Sequence, residues 1–241
     1  MGKIYQGNKE VSRIQHNGQT LYPDPIRNGL VLWYDFKDGQ NVGSKRNVAE
    51  DLSGNDNHGT LTNVAYQTNS GYGDGLKFDG VDDELNAPPS NFGRGDFTME
   101  IVVKAESTFR TGAPIFTKSD LQNAWQGRGF GITNISNPKA VYSSFWADGK
   151  NQLFPFHFFE NYPIAHFIMI KKGNSILHYV NGALTANRSF ASLETSPGEN
   201  LPIRIGNWSS NNYYSARAYN RALTVDEITH NYKLEKERFG I

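Results

Sequence analysis

Cysteine is absent from these 241 residues, so neither disulfides nor thiolate metal sites are available, and the redox compartment stays open. Charge of one sign is missing too: Lys plus Arg number 24, and Asp plus Glu also number 24. A chain with no net charge and no basic run is a poor match for nucleic acid or an anionic membrane surface, since both are held by clustered Lys and Arg. Apolar runs such as Phe167 to Ile170 fall far short of the ~20 residues that cross a bilayer. The opening MGKIYQGNKE has no apolar core of the kind a secretory signal carries, so an extracellular role is expected to use another route, such as release inside a virus particle.

Glycine (24), phenylalanine (15) and tyrosine (12) are what the chain has, a composition suited to short strands and tight turns. The length fits one all-β domain, because sandwiches of roughly 200–250 residues form single units. The centre of the pattern is GLKFDGVDDEL at 75 to 85, where Leu76 and Phe78 alternate with Lys77 and Asp79 before an acidic turn. That alternation predicts a half-buried strand entering a hairpin. Leu30 to Phe36 is nearly continuously apolar and reads as a strand buried on both faces or central in a sheet. Phe97, Met99, Ile101 and Val103 share one face of an amphipathic strand, with Thr98, Glu100 and Lys104 mostly on the other. Further strands are expected at 113 to 118, 129 to 134, 140 to 146, 152 to 158, 164 to 172, 175 to 181, 201 to 206 and 213 to 220, with hairpin turns at Gly173-Asn174 and Asn181-Gly182.

At the N-terminus, Ile4, Val11, Ile14 and Leu21 lie in short strand-like runs broken by Gly7-Asn8 and Asn17-Gly18. They predict a small hairpin arm over 1–28, too small to be stable alone, with Pro23 and Pro25 stiffening its link to a domain over 29–241. One helix is expected, Val225 to Phe239, opened by a capping box of Thr224 with Glu227 and a staple of Leu223 with Ile228. Its Val225, Ile228, Tyr232 and Phe239 form an apolar stripe.

Taken in order, GLVLWYDF (29–36), DLSGNDNHGTL (51–61), GLKFDGVDDEL, FTMEIVVKA (97–105), HFIMIKKGNSILHYVNGAL (166–184), PIRIGN (202–207) and AYNRALTVDEI (218–228) resemble the laminin-G-like branch of the concanavalin A-like lectin/glucanase superfamily. The resemblance implies an antiparallel jelly-roll β-sandwich with an N-terminal hairpin and a C-terminal helix. Similar hairpins precede such domains in tail and baseplate proteins of phages of Gram-positive bacteria, which implies a virion location and other virion tail proteins as partners. Many relatives carry a D-E-x-R-I-Y run before AYNRAL, where this chain has Tyr213, Tyr214, Ser215, Ala216 and Arg217.

For function, the glucanase branch needs a paired nucleophile and acid, and no E-x-D-x-x-E run is present; Glu100 has no acidic neighbour at the needed spacing. The expectation is therefore a protein that is not an enzyme, with carbohydrate-active catalysis as an alternative. The six histidines (16, 58, 157, 166, 178, 230) sit at no metal-ligand spacing and read as packing or turn residues. Calcium is the metal candidate, with Asp51, Asn55, Asp56 and Asn57, or else Asp79, Asp82 and Asp83, as oxygen donors, against the plainer reading that Asp and Asn here form turns. Trp208, Asn211, Asn212 and Tyr213, together with Trp125 and Trp146, are candidate sugar-stacking and hydrogen-bonding residues in polar loops; each loop Trp alternatively packs under its own loop or in a subunit contact. Trp33 reads as core. The expected partner is host cell-wall polysaccharide, bound by a homo-oligomer that multiplies weak single sites. The competing reading is a purely structural decoration or assembly protein of the particle.

Overall fold

The computed structural model describes residues 5–6, 9–10, 14–16, 19–22, 24–37, 47–66, 71–73, 75–104, 112–120, 128–136, 139–147, 150–158, 164–189 and 200–241. Short N-terminal strands β1 (Tyr5–Gln6) and β2 (Lys9–Glu10) pair with each other, as do β3 (Ile14–His16) and β4 (Gln19–Tyr22). The rest is a two-sheet antiparallel β-sandwich with one helix. In chain order its strands are β5 (Leu30–Asp35), β6 (Val48–Ala49), β7 (Gly59–Thr62), β8 (Gly71–Gly73), β9 (Gly75–Lys77), β10 (Glu84–Ala87) and β11 (Phe97–Lys104). They continue with β12 (Pro114–Ser119), β13 (Arg128–Ser136), β14 (Lys139–Ala147), β15 (Lys150–Phe158) and β16 (Ile164–Lys172). Last come β17 (Ser175–Val180), β18 (Ala183–Ser189), β19 (Ile203–Gly206), β20 (Asn212–Tyr219) and the helix α1 (Val225–Phe239).

One sheet runs β15-β14-β13-β12-β19-β10-β7-β6 and the other β18-β17-β16-β11-β20-β9-β8, with β5 also on β20. Between the sheets lies the main core. Its spine is a row of rings, Phe97 and Phe92 against Phe130, then Phe145, then Phe154, with successive centroids 4.4–6.3 Å apart. Such contacts add about 0.5–1.5 kcal/mol per pair beyond burial.

The second sheet is covered on its outer side as well. Leu32, Tyr34 and Phe36 face the main core, whereas Leu30 and Trp33 join Ile168, Ile170, Tyr219, Leu223 and Ile228 in a second cluster, to which α1 contributes Ile228. This is why all six residues of β5 are buried. It also corrects the expectation of a half-exposed β11, since Thr98, Glu100 and Val102 are as buried as the apolar set on the opposite face. The helix that covers them starts where its sequence signals place it: Thr224 Oγ1 accepts from Glu227 N, and the Glu227 carboxylate accepts from Thr224 N. It ends at Gly240, whose left-handed φ of 70° lets its N–H reach Lys236 O. Asn181 and Gly182 both take positive φ, the requirement of a tight two-residue hairpin.

Candidate functional site

β9 and β10 are joined by the acidic turn, and β19 and β20 by residues 207–211. The two connections meet at one end of the sandwich. Phe78 N donates to Asn211 O at 3.1 Å and Asn207 N to Asp83 O at 2.9 Å, so the turns are tied through their backbones. Within the acidic turn, Asp79 Oδ1 accepts from Val81 N and Asp83 Oδ2 accepts from Asp79 N, both at 2.7 Å. Each is the side-chain to backbone closure that Asp favours in tight turns. The result brings carboxylate oxygens of Asp79, Asp82 and Asp83 within 4.8 Å of one another, with Asp79 and Asp82 exposed. Glu84, next in sequence, is held apart by a bidentate pair with Arg204 at 2.9 and 3.0 Å and by Asn207 Nδ2 at 3.0 Å.

Facing these acids, three consecutive residues adopt left-handed backbone: Gly206 (φ 79°), Asn207 (φ 75°) and Trp208 (φ 58°). Glycine is needed at 206 because an added Cβ would collide with the Phe78 ring. Trp208 has no such freedom. A bulky residue in this region costs about 1–2 kcal/mol, and strain of this sort concentrates where a side chain must be presented in a fixed direction. Trp208 is only half-buried.

The structure separates the remaining sequence candidates. Asn211 and Tyr213 lie under the turn with no exposed surface. Tyr213 OH is 3.1 Å from Ser209 Oγ and accepts from Asn211 Nδ2 at 3.3 Å, and burial pushes its hydroxyl up to about 12. These two shape the turn from below instead of touching a ligand, because both side chains are fully buried and are hydrogen-bonded to each other and to Ser209. Asn212 is half-buried and donates to Tyr214 OH at 3.2 Å. Trp125 lies outside the described residues. Trp146 is placed on β14 by its backbone, opposite Asn151, and its side chain lies outside the described residues.

Asp51 and Asn55 do not join the acidic cluster. Asp51 Oδ1 accepts from Trp33 N and Ser53 N, both at 2.9 Å, and Oδ2 accepts from Ser53 Oγ and Asn57 N at 2.7 and 3.0 Å. With both oxygens saturated, this carboxylate organises the 51–57 turn, and Asn55 serves the same turn by donating to Leu30 O. The cluster of Asp79, Asp82 and Asp83 does match the donor chemistry of calcium, which takes oxygen ligands at about 2.3–2.6 Å and so gathers them within about 5 Å. Of the two donor sets the sequence offered, the structure brings together Asp79, Asp82 and Asp83 and keeps Asp51 and Asn55 in a separate turn.

A second group missed in the sequence is a buried charge network beneath α1. Arg217 on β20 lies 2.9 Å from Glu100 on β11 and 2.5 Å from Glu235 on α1. Asn231 Nδ2 donates to Glu100 Oε1 at 2.8 Å, and His166 Nε2 is 3.5 Å from Glu100 Oε2. Burial alone would raise the Glu100 carboxyl, but the Arg217 charge and these hydrogen bonds outweigh it and hold it down to about 2. The two carboxylates thus flank an arginine behind the helix, closed to solvent, in an arrangement that fastens elements together. The helix supplies the acidic partner that β11 lacks in sequence. Its signal was a charged residue, Glu235, on the side of α1 that packs against the sheet.

No family model matches the chain, and no curated protein matches it. Solved structures do. A Trypanosoma rangeli sialidase in complex with sialic acid is similar over 87% of this chain and 33% of its own, with a TM-score of 0.60 at 19% identity. The botulinum neurotoxin serotype D binding domain gives 0.64 at 13% identity, covering 87% of this chain and 52% of that one. The receptor binding domain of the botulinum neurotoxin C/D mosaic serotype gives 0.66 at 15%, with 87% and 52% covered. This chain therefore spans between a third and about half of those chains, and at these identities the likeness is one of fold, a β-sandwich.

Proposed function

We propose that this protein is a non-enzymatic component of a phage tail, baseplate or fibre that binds carbohydrate on the host surface, acting as a homo-oligomer. The observation that carries the reading is Trp208, half-buried and held in a left-handed backbone beside the acidic turn. An indole face stacks on the apolar C–H face of a sugar, and neighbouring carboxylates accept from its hydroxyls. Calcium held by Asp79, Asp82 and Asp83 would supply a further oxygen-binding cation at the same rim. The sequence resemblance supports the phage setting, and solved sandwiches of similar fold include domains named for receptor binding. The enclosure of Glu100 and Glu235 behind α1 supports a binding role over hydrolysis, because water and substrate have no path to that pair.

The test is adsorption of the fluorescently labelled protein to isolated cell walls from a panel of Gram-positive bacteria, with and without chelator, comparing the native chain with Trp208→Asn. Selective binding that Trp208→Asn loses is the expected result, and loss on chelation assigns a metal to the rim. A folded protein that binds no wall overturns the reading in favour of a structural role in the particle.

A further inference from the structure

Among the described residues, the edges of the two sheets are guarded in all cases but one. β6 has two residues and β8 three, too short to template a further strand. β15 carries Pro155, which has no N–H to offer. The free side of β5 is taken by the 51–57 turn: Leu52 N donates to Trp33 O, Asp51 Oδ1 accepts from Trp33 N, and Asn55 and Asn57 donate to Leu30 O and Val31 O. β18 is the exception. It reads ALTANRS, with no proline, lysine or acid, and no strand lies beyond it among the described residues. Six of its seven residues are exposed, Leu184 at 52%, and the side-chain hydrogen bonds of Thr185 and Ser189 run back to β17. Such an edge is a row of N–H and C=O groups ready to pair with another strand.

The N-terminal arm has the complementary shortage. β1 pairs with β2 and β3 with β4, and neither hairpin gains a third strand among the described residues. A two-stranded hairpin alone is marginal in water, and further strands are what stabilise it.

The arm cannot reach the β18 of its own chain. Its root is fixed on one flank of α1 and on β5: His230 Nε2 is 2.8 Å from Asp24 O, Ile26 N donates to Asn231 Oδ1 at 3.0 Å, and the Arg27 guanidinium lies 4.8 Å from the Trp33 ring. Tyr232, about 200° round the helix from His230, marks the other flank. Its ring stacks on His166 of β16 at 6.4 Å and is what a Cβ at Gly182, in the β17–β18 turn, would strike. From β5 across β20, β11, β16 and β17 to β18 is five strand spacings, roughly 24 Å at about 4.8 Å each. Against that, only two residues lead from Asp24 to the end of β4 at Tyr22, a reach of about 7 Å.

We infer that β18 is the docking edge for the β3–β4 hairpin of a second copy of this chain, which extends the sheet as its next strands; this rests on the homo-oligomer of the reading above and locates its contact. The surface given differs from the surface taken, so the contact is head-to-tail and builds a ring when its rotation closes. A ring carries every Trp208 rim at the same height on its axis, the arrangement in which sites facing one surface add through effective concentration.

Because the chain has no cysteine, introduced thiols report contacts without background. The experiment combines sedimentation of the full chain over a concentration series with bismaleimide cross-linking of the double variant Thr20→Cys/Asn187→Cys. Native chains are expected to sediment as an oligomer, and the double variant to give a ladder of covalent dimers and higher products. Leu184→Lys/Asn187→Lys puts on β18, at exposed positions, the charges that guard natural edges, and should sediment as a monomer. Thr60→Lys/Thr62→Lys, exposed on the interior strand β7, should assemble as the native chain does. Thermal melts establish that each variant is folded. The inference is overturned by a native chain that stays monomeric, by a β18 lysine pair that assembles normally, or by a double variant linked only within single chains. Thr20→Cys alone cross-linking as well as the double variant also overturns it, since the arms would then meet each other. Wall adsorption separates the two readings: an oligomer that binds no wall keeps this contact and loses the carbohydrate role, and a monomer that still binds does the reverse. Where both hold, the monomeric lysine pair should adsorb roughly a hundredfold more weakly than the native chain.

Discussion

Arg217 Nη1 stands 2.5 Å from Glu235 Oε1, joining a central strand of one sheet to the helix that covers it, with both side chains out of contact with solvent. Removing the arginine strands two buried carboxylates, Glu100 and Glu235. Arg217→Met is therefore expected to lower the unfolding free energy by about 3–5 kcal/mol in denaturant titration. Adding Glu100→Gln and Glu235→Gln to the same chain should recover most of that loss, because the penalty lies in the uncompensated charge. A single variant that unfolds at the native midpoint would show that the network contributes nothing to stability.

Gly206 gives a second stability prediction. Its φ of 79° disfavours any L side chain, and a Cβ there would run into the Phe78 ring, which is itself fully buried against Tyr213 at a centroid distance of 5.2 Å. The ring has no room to retreat. Gly206→Ala should cost about 2–4 kcal/mol, combining left-handed strain with overpacking. Gly95→Ala makes the comparison: its φ of 87° carries the same strain, but no atom lies within 4 Å of the added methyl. It should cost only about 1–2 kcal/mol.

Trp208 should behave in the opposite way to a core residue. Asparagine tolerates left-handed backbone far better than tryptophan, so Trp208→Asn releases strain while giving up the contacts of a half-buried ring. The two effects are of similar size, and thermal melting is expected to place the variant within about 1 kcal/mol of the native chain. Loss of wall adsorption at unchanged stability would mark the indole as kept for binding. A loss near 3 kcal/mol would instead make it a packing residue.

The architecture was legible because its signals are local. Leu76 and Phe78 alternate with Lys77 and Asp79 and are buried as that alternation requires, and Thr224 with Glu227 closes the capping box their spacing predicts. Trp208 and the acids Asp79, Asp82 and Asp83 were picked from separate segments, and the pairing of Asn207 with Asp83 brings those segments together. What period-two reasoning handled badly was the covered outer face. A strand with Glu100 opposite its apolar side reads as solvent-facing until a helix with its own buried acid is laid across it, and no local pattern reports that. The inward positions of Asn211 and Tyr213 were missed for a related reason, since an Asn-rich run looks like an exposed loop whether or not its side chains point under it.

The pH dependence of folding should carry the mark of His178. Its ring lies between the sheets with Nε2 2.7 Å from Ser143 Oγ, and burial pulls its proton affinity down from 6.5 to about 4, with the Arg188 charge acting in the same direction. The unfolded chain takes up this proton near pH 6.5 and the folded chain only near 4. Between those values the unfolded state holds more protons, so stability falls as the solution is acidified through that window and this contribution is complete below it. Glu100 adds a separate loss at lower pH, as its carboxyl, held to about 2 in the fold, protonates at 4.5 in the unfolded chain. Urea midpoints recorded from pH 7.5 down to 4.5 should therefore decline in the native protein. His178→Gln keeps a hydrogen-bonding group for Ser143 but cannot take a proton. Its midpoint is expected to start lower at pH 7.5 and then stay nearly flat down to 4.5, and a slope equal to that of the native chain would assign the acid sensitivity to other groups.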